Sequence, residues 1–169
     1  MTYIISVVLF YTIFTLAIRS AYYNSPLMNK NITPEPYPWK KEYELNNELF
    51  DNQTKKFLDI INMMKELVAT GVDKIGISEV FFQLAHYFEK YMLMEEIYLR
   101  ELQYDELEDH MKAHRDFSGK IISFRENFEK GEINFESEMY IYLEKWFDEH
   151  MMVEDRKAVN FIKSREAKI

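Results

Sequence analysis

The chain has 169 residues, of which 47% are hydrophobic and 30% charged, with a formal net charge of -8 and no cysteine. That length supports one substantial core plus an appendage, and the acidity argues against nucleic acid as a partner, because phosphate recognition needs clustered Lys and Arg. Without cysteine there is no disulfide, thiolate metal site or thiol nucleophile, so any chemistry must come from histidine, carboxylate, tyrosine or methionine.

Tyr3 to Ile18 carries no charged side chain and is rich in Ile, Val, Leu and Phe. It reads as a hydrophobic membrane helix occupying residues 1–20, at the short end of the roughly 17 to 25 residues that a span needs. A cleaved signal peptide is the alternative, but no basic residue precedes the apolar run and Ile18 and Ser20 make a poor cleavage pair. Arg19, Lys30, Lys40 and Lys41 all follow the run, which by the positive-inside rule leaves the soluble domain cytoplasmic behind a single-pass anchor. Cleavage would make it secreted or lumenal. Residues 21–38 contain all four prolines and no periodicity, and read as a linker. Asn31-Ile32-Thr33 and Asn52-Gln53-Thr54 match the glycosylation acceptor pattern by chance, the second inside an expected helix.

Residues 39–166 read as an up-down-up-down bundle of four helices. The first is expected over 47–70, closed by Gly71, with the inward stripe Phe50, Thr54, Phe57, Ile61, Met64 and Val68. The second should start at an N-cap Ser78 and run to Leu102, with the stripe Phe81, Leu84, Phe88, Tyr91, Glu95, Tyr98 and Leu102. His86 falls off that stripe. The third, opened by a capping box of Asp105 and Glu108, runs to about Glu129 with the stripe Leu107, His110, His114, Phe117, Ile121, Phe124 and Phe128. The fourth, over 134–164, shows Met139, Leu143, Trp146, His150 and Val153.

Histidines and a glutamate therefore interrupt otherwise apolar seams, and buried polar atoms must find partners. Counting from each turn of an antiparallel bundle puts Glu95, His110, His114, His150, Thr54 and Tyr91 at one level. Asp155 follows His150 by five residues, which on an ideal helix rotates it about 140° away, so it needs a local distortion to join them. Imidazoles and carboxylates without sulfur suit iron, manganese or zinc. Met92, Met94, Met151 and Met152 flank the layer, and thioethers beside imidazoles could recruit copper. The remaining methionines and aromatics are ordinary bundle packing.

Trp39, Asn47, the run Phe50-Asp51-x-Gln53-x-Lys55-Lys56, the pair Glu95-Glu96, His110-x-x-x-His114-x-x-Phe117 and Trp146…His150-x-x-x-x-Asp155 together make 39–162 resemble a hemerythrin of the bacterial single-domain type. The resemblance implies a non-haem iron site in which His110, His114 and His150 are terminal ligands of one iron and Glu95 and Asp155 bridge to a second. It also exposes two departures. Where the family carries the histidines of the second, oxygen-binding iron, this chain has Thr54 and Tyr91.

One expectation is then a membrane-anchored iron protein with an asymmetric or mononuclear site, Tyr91 serving as a phenolate ligand, that handles a small diatomic ligand (oxygen or nitric oxide) or iron. A second is a degenerate bundle acting as a structural or interaction subunit among protein partners of a membrane complex. A third is a non-haem metal oxidase or peroxidase using an open coordination position, although no acid–base pair or nucleophile motif supports a defined reaction.

Overall fold

A computed structural model describes residues 32–71, 73–132 and 135–166. The expected anchor over 1–20 lies outside these residues. Thr33–Ile169 forms one compact unit. Among the described residues all regular structure is helical, and no helix is long and apolar enough to cross a membrane.

After a 3-10 turn at Lys41–Tyr43, four rods follow. The first is α1, Glu48–Thr70. The second joins α2, Lys74–Tyr87, through a π-helical turn π1, Phe88–Met92, to α3, Leu93–Glu101. The third is α4, Leu107–Lys130. The fourth joins α5, Phe135–Trp146, through π2, Phe147–Glu154, to α6, Asp155–Glu166. Short connections make successive rods antiparallel, and α1 packs on both α2 and α5 while α4 packs on both α3 and α5, which closes the four into a bundle.

Local chemistry sets the ends. Asn47 caps α1 by accepting from the Phe50 N–H at 3.4 Å. The second rod is capped by Asp73, whose carboxylate accepts from the Gly76 N–H at 2.8 Å, and not by Ser78, whose hydroxyl donates to the Lys74 carbonyl inside the helix. The capping box expected at Asp105 and Glu108 is also absent: α4 starts behind Glu106, with no side-chain cap. Its far end closes in a Schellman turn, Gly131 adopting φ 72° while the Glu132 N–H reaches back to the Asn127 carbonyl at 3.0 Å.

The inward stripe of α1 is buried throughout, as is that of α4 from His110 to Phe124. The second rod differs. Phe81, Phe88, Tyr91, Tyr98 and Leu102 are only partly buried, and Ile77, Val80, Tyr87, Met92 and Leu99 take the core positions. Val153 likewise faces outward, 46% exposed, and Ala158, Val159 and Ile162 carry the core of α6. In each of these rods a π-turn breaks the period, so no single stripe fits the whole rod. A π-turn holds one residue more than an α-turn, so everything beyond it rotates by about 100° relative to an unbroken helix.

On the outside of the bundle Tyr37 is tied to two rods. Its backbone N–H donates to Asn62 Oδ1 at 2.7 Å and its carbonyl accepts from Asn62 Nδ2 at 3.1 Å. Its hydroxyl meets Tyr140 at 3.2 Å and donates to Glu144. This end of the proline-containing stretch is thus fixed on α1 and α5.

Candidate metal centre

The fourth rod shows how the backbone builds the site. In π2 the Asp155 N–H donates to the His150 carbonyl, five residues back instead of four. That is the local distortion which the His150–Asp155 spacing requires: with one extra residue in the turn, a separation of five places the two side chains on one face. In π1 the Leu93 N–H donates to the Phe88 carbonyl in the same way. There the consequence is opposite for the expected ligand. Tyr87 and Glu95 are brought to one face, and Tyr91 is carried outward to line a surface groove with Leu49, Lys55, Lys56 and Lys90.

Four groups converge. One ligand atom each from Glu95, His110, His114 and His150 lies within 4.8 Å of the others, and all four residues are buried. His110 Nε2 stands 2.8 Å from Glu95 Oε1. His114 Nε2 and His150 Nε2 face one another at 3.0 Å. Asp155, fully buried, joins them with Oδ1 at 3.1 Å from His150 Nε2 and 3.8 Å from His110 Nε2. Two donor atoms held at right angles by one ion, each about 2.1 Å from it, are about 3.0 Å apart. His114 and His150 are spaced as two ligands of a single ion would be.

The surroundings orient these rings. His114 Nδ1 lies 2.9 Å from Glu96 Oε1, so a proton on Nδ1 donates to Glu96 and the Nε2 lone pair is left facing the centre. Trp146 stacks on His150 with ring centroids 4.1 Å apart and planes at 15°. Phe117 backs Trp146 at 4.3 Å. On the other side Gln53, 1% exposed, donates from Nε2 to Glu95 Oε2 and to Asp155 Oδ2, the latter at 3.4 Å.

A cation fits this set. Three imidazole nitrogens and two carboxylates, without sulfur, match iron, manganese or zinc, and Asp155 Oδ1 is a buried oxygen with no hydrogen bond among the described residues. An ion between the imidazoles and carboxylates satisfies that oxygen and offsets the cost of burying both acids. Of the four methionines named beside copper, Met92 and Met151 are buried and Met94 is 51% exposed.

Titration follows from the same crowding. Burial pushes Asp155 up to about 6, with His110 and His114 pulling the other way. Burial and the neighbouring His114 and His110 hold His150 well below the ordinary imidazole value. For His110 burial acts downward too, but the hydrogen bond and charge of Glu95 outweigh it and leave the ring raised. In the metal-free chain, the protonated Asp155 favours the fold at low pH, and that contribution is lost as pH rises through about 6. His150 acts oppositely, favouring the fold above the ordinary imidazole value and eroding it as pH falls. A bound cation needs Asp155 ionised and the imidazoles neutral. The gain in melting temperature on adding zinc should therefore be large above about pH 7 and shrink as pH falls through about 6, which paired melts across that range would measure.

The sequence stripes did not assign Glu96, Gln53 or Tyr87 to this layer. Glu96 adjoins Glu95 and Gln53 adjoins Thr54, but neighbours on a helix point about 100° apart and are normally assigned to different faces. Thr54 is buried, its hydroxyl donating to the Phe50 carbonyl at 2.8 Å. Tyr91 is half-buried and stacked on Tyr87 at 5.4 Å. Tyr87 is the enclosed tyrosine, its hydroxyl raised well above the ordinary value by burial and then by the charges of Asp155 and Glu95.

Fold and site together define a four-helix-bundle metal-binding domain built on histidines and carboxylates. Residues 45–162 match the hemerythrin HHE cation binding domain, and the chain belongs to the hemerythrin family. It is 30% identical over 132 residues to a bacteriohemerythrin of Clostridium acetobutylicum, covering 73% of this chain and 99% of that one. It is 24% identical over 125 residues to a bacteriohemerythrin of Pseudomonas aeruginosa, covering 74% and 80%. A bacteriohemerythrin of Stenotrophomonas maltophilia is 20% identical over 126 residues, covering 75% and 81%.

Because Glu96 fixes the tautomer of His114, its replacement should be felt at the metal. We expect Glu96→Gln to weaken zinc binding by about 10- to 100-fold without unfolding the bundle, as outer partners of metal-bound histidines generally do. A competition titration against a chromophoric chelator measures it.

Proposed function

We propose that this domain holds non-haem iron at His110, His114, His150, Glu95 and Asp155, and that it serves in handling oxygen, nitric oxide or iron itself. The observation that carries the reading is the convergence of three imidazole nitrogens on two buried carboxylates, with His114 Nε2 and His150 Nε2 at 3.0 Å. Iron bound there would supply a redox-active Lewis acid. The protein's part is positional. Glu96 and Trp146 hold the rings of His114 and His150 in place, and the apolar wall of Phe57, Phe88 and Phe117 excludes water. Enclosure of this kind strengthens every charge interaction inside it. The uncharged run from Tyr3 to Ile18 would anchor this activity to a membrane, with the bundle on the cytoplasmic side.

Elemental analysis of the full chain from its native source, with an optical spectrum recorded under air and under reductant, tests the proposal. Stoichiometric iron whose spectrum changes between the two conditions is the expected result. A chain that carries no metal would instead be a structural module, and one that carries only zinc would exclude redox chemistry.

A further inference from the structure

The surface groove to which π1 turns Tyr91 has a volume of about 480 Å³, within the range of small-molecule sites. Leu49, Met94 and the ring of Tyr91 give it apolar walls, and Lys55, Lys56 and Lys90 give it three ammonium groups. The groups that these lysines meet are neutral. Lys55 Nζ stands 5.0 Å from the Trp39 ring, Lys90 Nζ stands 5.4 Å from the Tyr91 ring, and Lys56 Nζ donates to Gln83 Oε1 at 2.7 Å. Elsewhere on the bundle, Lys112, Lys130, Lys145 and Lys157 are paired with carboxylates. Asp59 is the one carboxylate among the lining residues, so the groove is positive in a chain whose net charge is -8.

Behind the groove stands the metal centre. Tyr91 stacks on Tyr87 with ring centroids 5.4 Å apart and planes at 28°. Tyr87 is fully buried, π1 sets it on the face of Glu95, and its hydroxyl lies in the field of Asp155 and Glu95. Two stacked rings thus lead from the groove to the carboxylates of the centre. We propose that the groove binds a flat aromatic anion, the chemistry of a phosphate-bearing redox carrier, and that the Tyr91–Tyr87 stack passes its electrons to the metal. The binding site stands by itself, and its role in electron transfer rests on the iron reading above. Lysine ammonium groups suit a phosphate, and the Tyr91 ring suits an aromatic body. The opposite charges of groove and carrier guide their encounter on an otherwise acidic protein, so binding should weaken as salt is added. The reduced carrier loses one electron for each ferric ion that becomes ferrous. A two-electron carrier therefore reduces two ions and releases its protons to water.

Flavin mononucleotide is the probe, and riboflavin, which lacks the phosphate, is its control. The full chain should quench the fluorescence of flavin mononucleotide saturably and bind riboflavin about 10-fold more weakly, the loss expected when one charged hydrogen bond is missing. Lys56→Glu combined with Lys90→Glu should abolish that preference. Reduced flavin mononucleotide, mixed without air at saturating concentration with the ferric chain, should be reoxidised and regain its yellow colour. Tyr91→Leu, a change at a half-buried surface position, should keep the helical circular dichroism and the iron content and lose most of the limiting rate. Flavin mononucleotide left unquenched, or bound no better than riboflavin, would overturn the groove whatever metal the chain carries. A limiting rate that Tyr91→Leu leaves unchanged would overturn the path through the stack. A chain without iron would overturn the iron reading and the electron transfer with it, and the binding titration would still decide the groove.

Discussion

Replacing His150 with alanine should strip the centre of its metal and leave the bundle folded. The side chain is the junction of the site: its Nε2 lies 3.0 Å from His114 and 3.1 Å from Asp155, and its ring is clamped by Trp146. Losing an outer partner of a metal ligand costs about 10- to 100-fold in affinity, so losing a ligand itself should cost more than about 100-fold. In the metal-free chain the sign is different. There His150 is a neutral ring held against burial and against two other imidazoles. Its removal leaves a small cavity but relieves the crowding of a third buried imidazole against His110 and His114, and these effects oppose one another. The melting temperature without metal should therefore change little. With metal the contrast is large, because a ligand present at about 100 times its dissociation constant stabilises the fold by about 2.7 kcal/mol, and the variant should lose that gain. Melts of both chains with chelator and with zinc separate the two contributions. An unchanged zinc effect in His150→Ala would place the metal elsewhere.

How much of this could be read from the residues depended on whether a helix kept its period. In α1 and α4 the apolar spacing is uninterrupted, and Phe50, Phe57, Ile61, Met64, His110, His114, Phe117 and Ile121 all lie where a period of 3.6 puts them. In the second rod the period is broken by π1, which contains neither glycine nor proline to mark it. On an unbroken helix Tyr87 and Glu95, eight residues apart, would be separated by about 80°; one residue absorbed by the π-turn reduces this to about 20°. Hence Tyr87 entered the core and Tyr91 left it. The fourth rod carries the same distortion, but there it is visible in the sequence. The five-residue step from His150 to Asp155 makes sense for two inward side chains only if the turn between them is wider than an α-turn. Stripes and level counting brought Glu95, His110, His114 and His150 together and the resemblance to hemerythrins added Asp155, whereas the pairing of Gln53 with both carboxylates needed the geometry, since a glutamine beside a stripe carries no signal of what it will meet.

The second large effect concerns the wall behind the ligands. Phe117→Ala should make folding of the bundle depend on metal. Phe117 is fully buried and touches Phe57, Phe88, Tyr142 and Trp146, with the Trp146 ring stacked at 4.3 Å. Truncating a phenylalanine in such a position costs about 3–5 kcal/mol, the lost burial plus the cavity. A domain of ordinary stability has only about 5–15 kcal/mol in total, so the metal-free variant should melt about 6 to 20 °C lower, at about 2–4 °C per kcal/mol for a chain of this size. Trp146 loses its backing, and with it the support that fixes His150, so metal affinity should fall as well, though less than in His150→Ala where a ligand is gone. At about 1,000 times the dissociation constant, metal returns about 4.1 kcal/mol, close to what the truncation removes. Saturating zinc should thus restore most of the lost melting temperature, while chelator should leave the variant partly unfolded near physiological temperature. A drop of only a few degrees would mean that the wall repacks around the gap. A full drop that zinc fails to repair would mean that packing and metal site do not share the residues assigned to both.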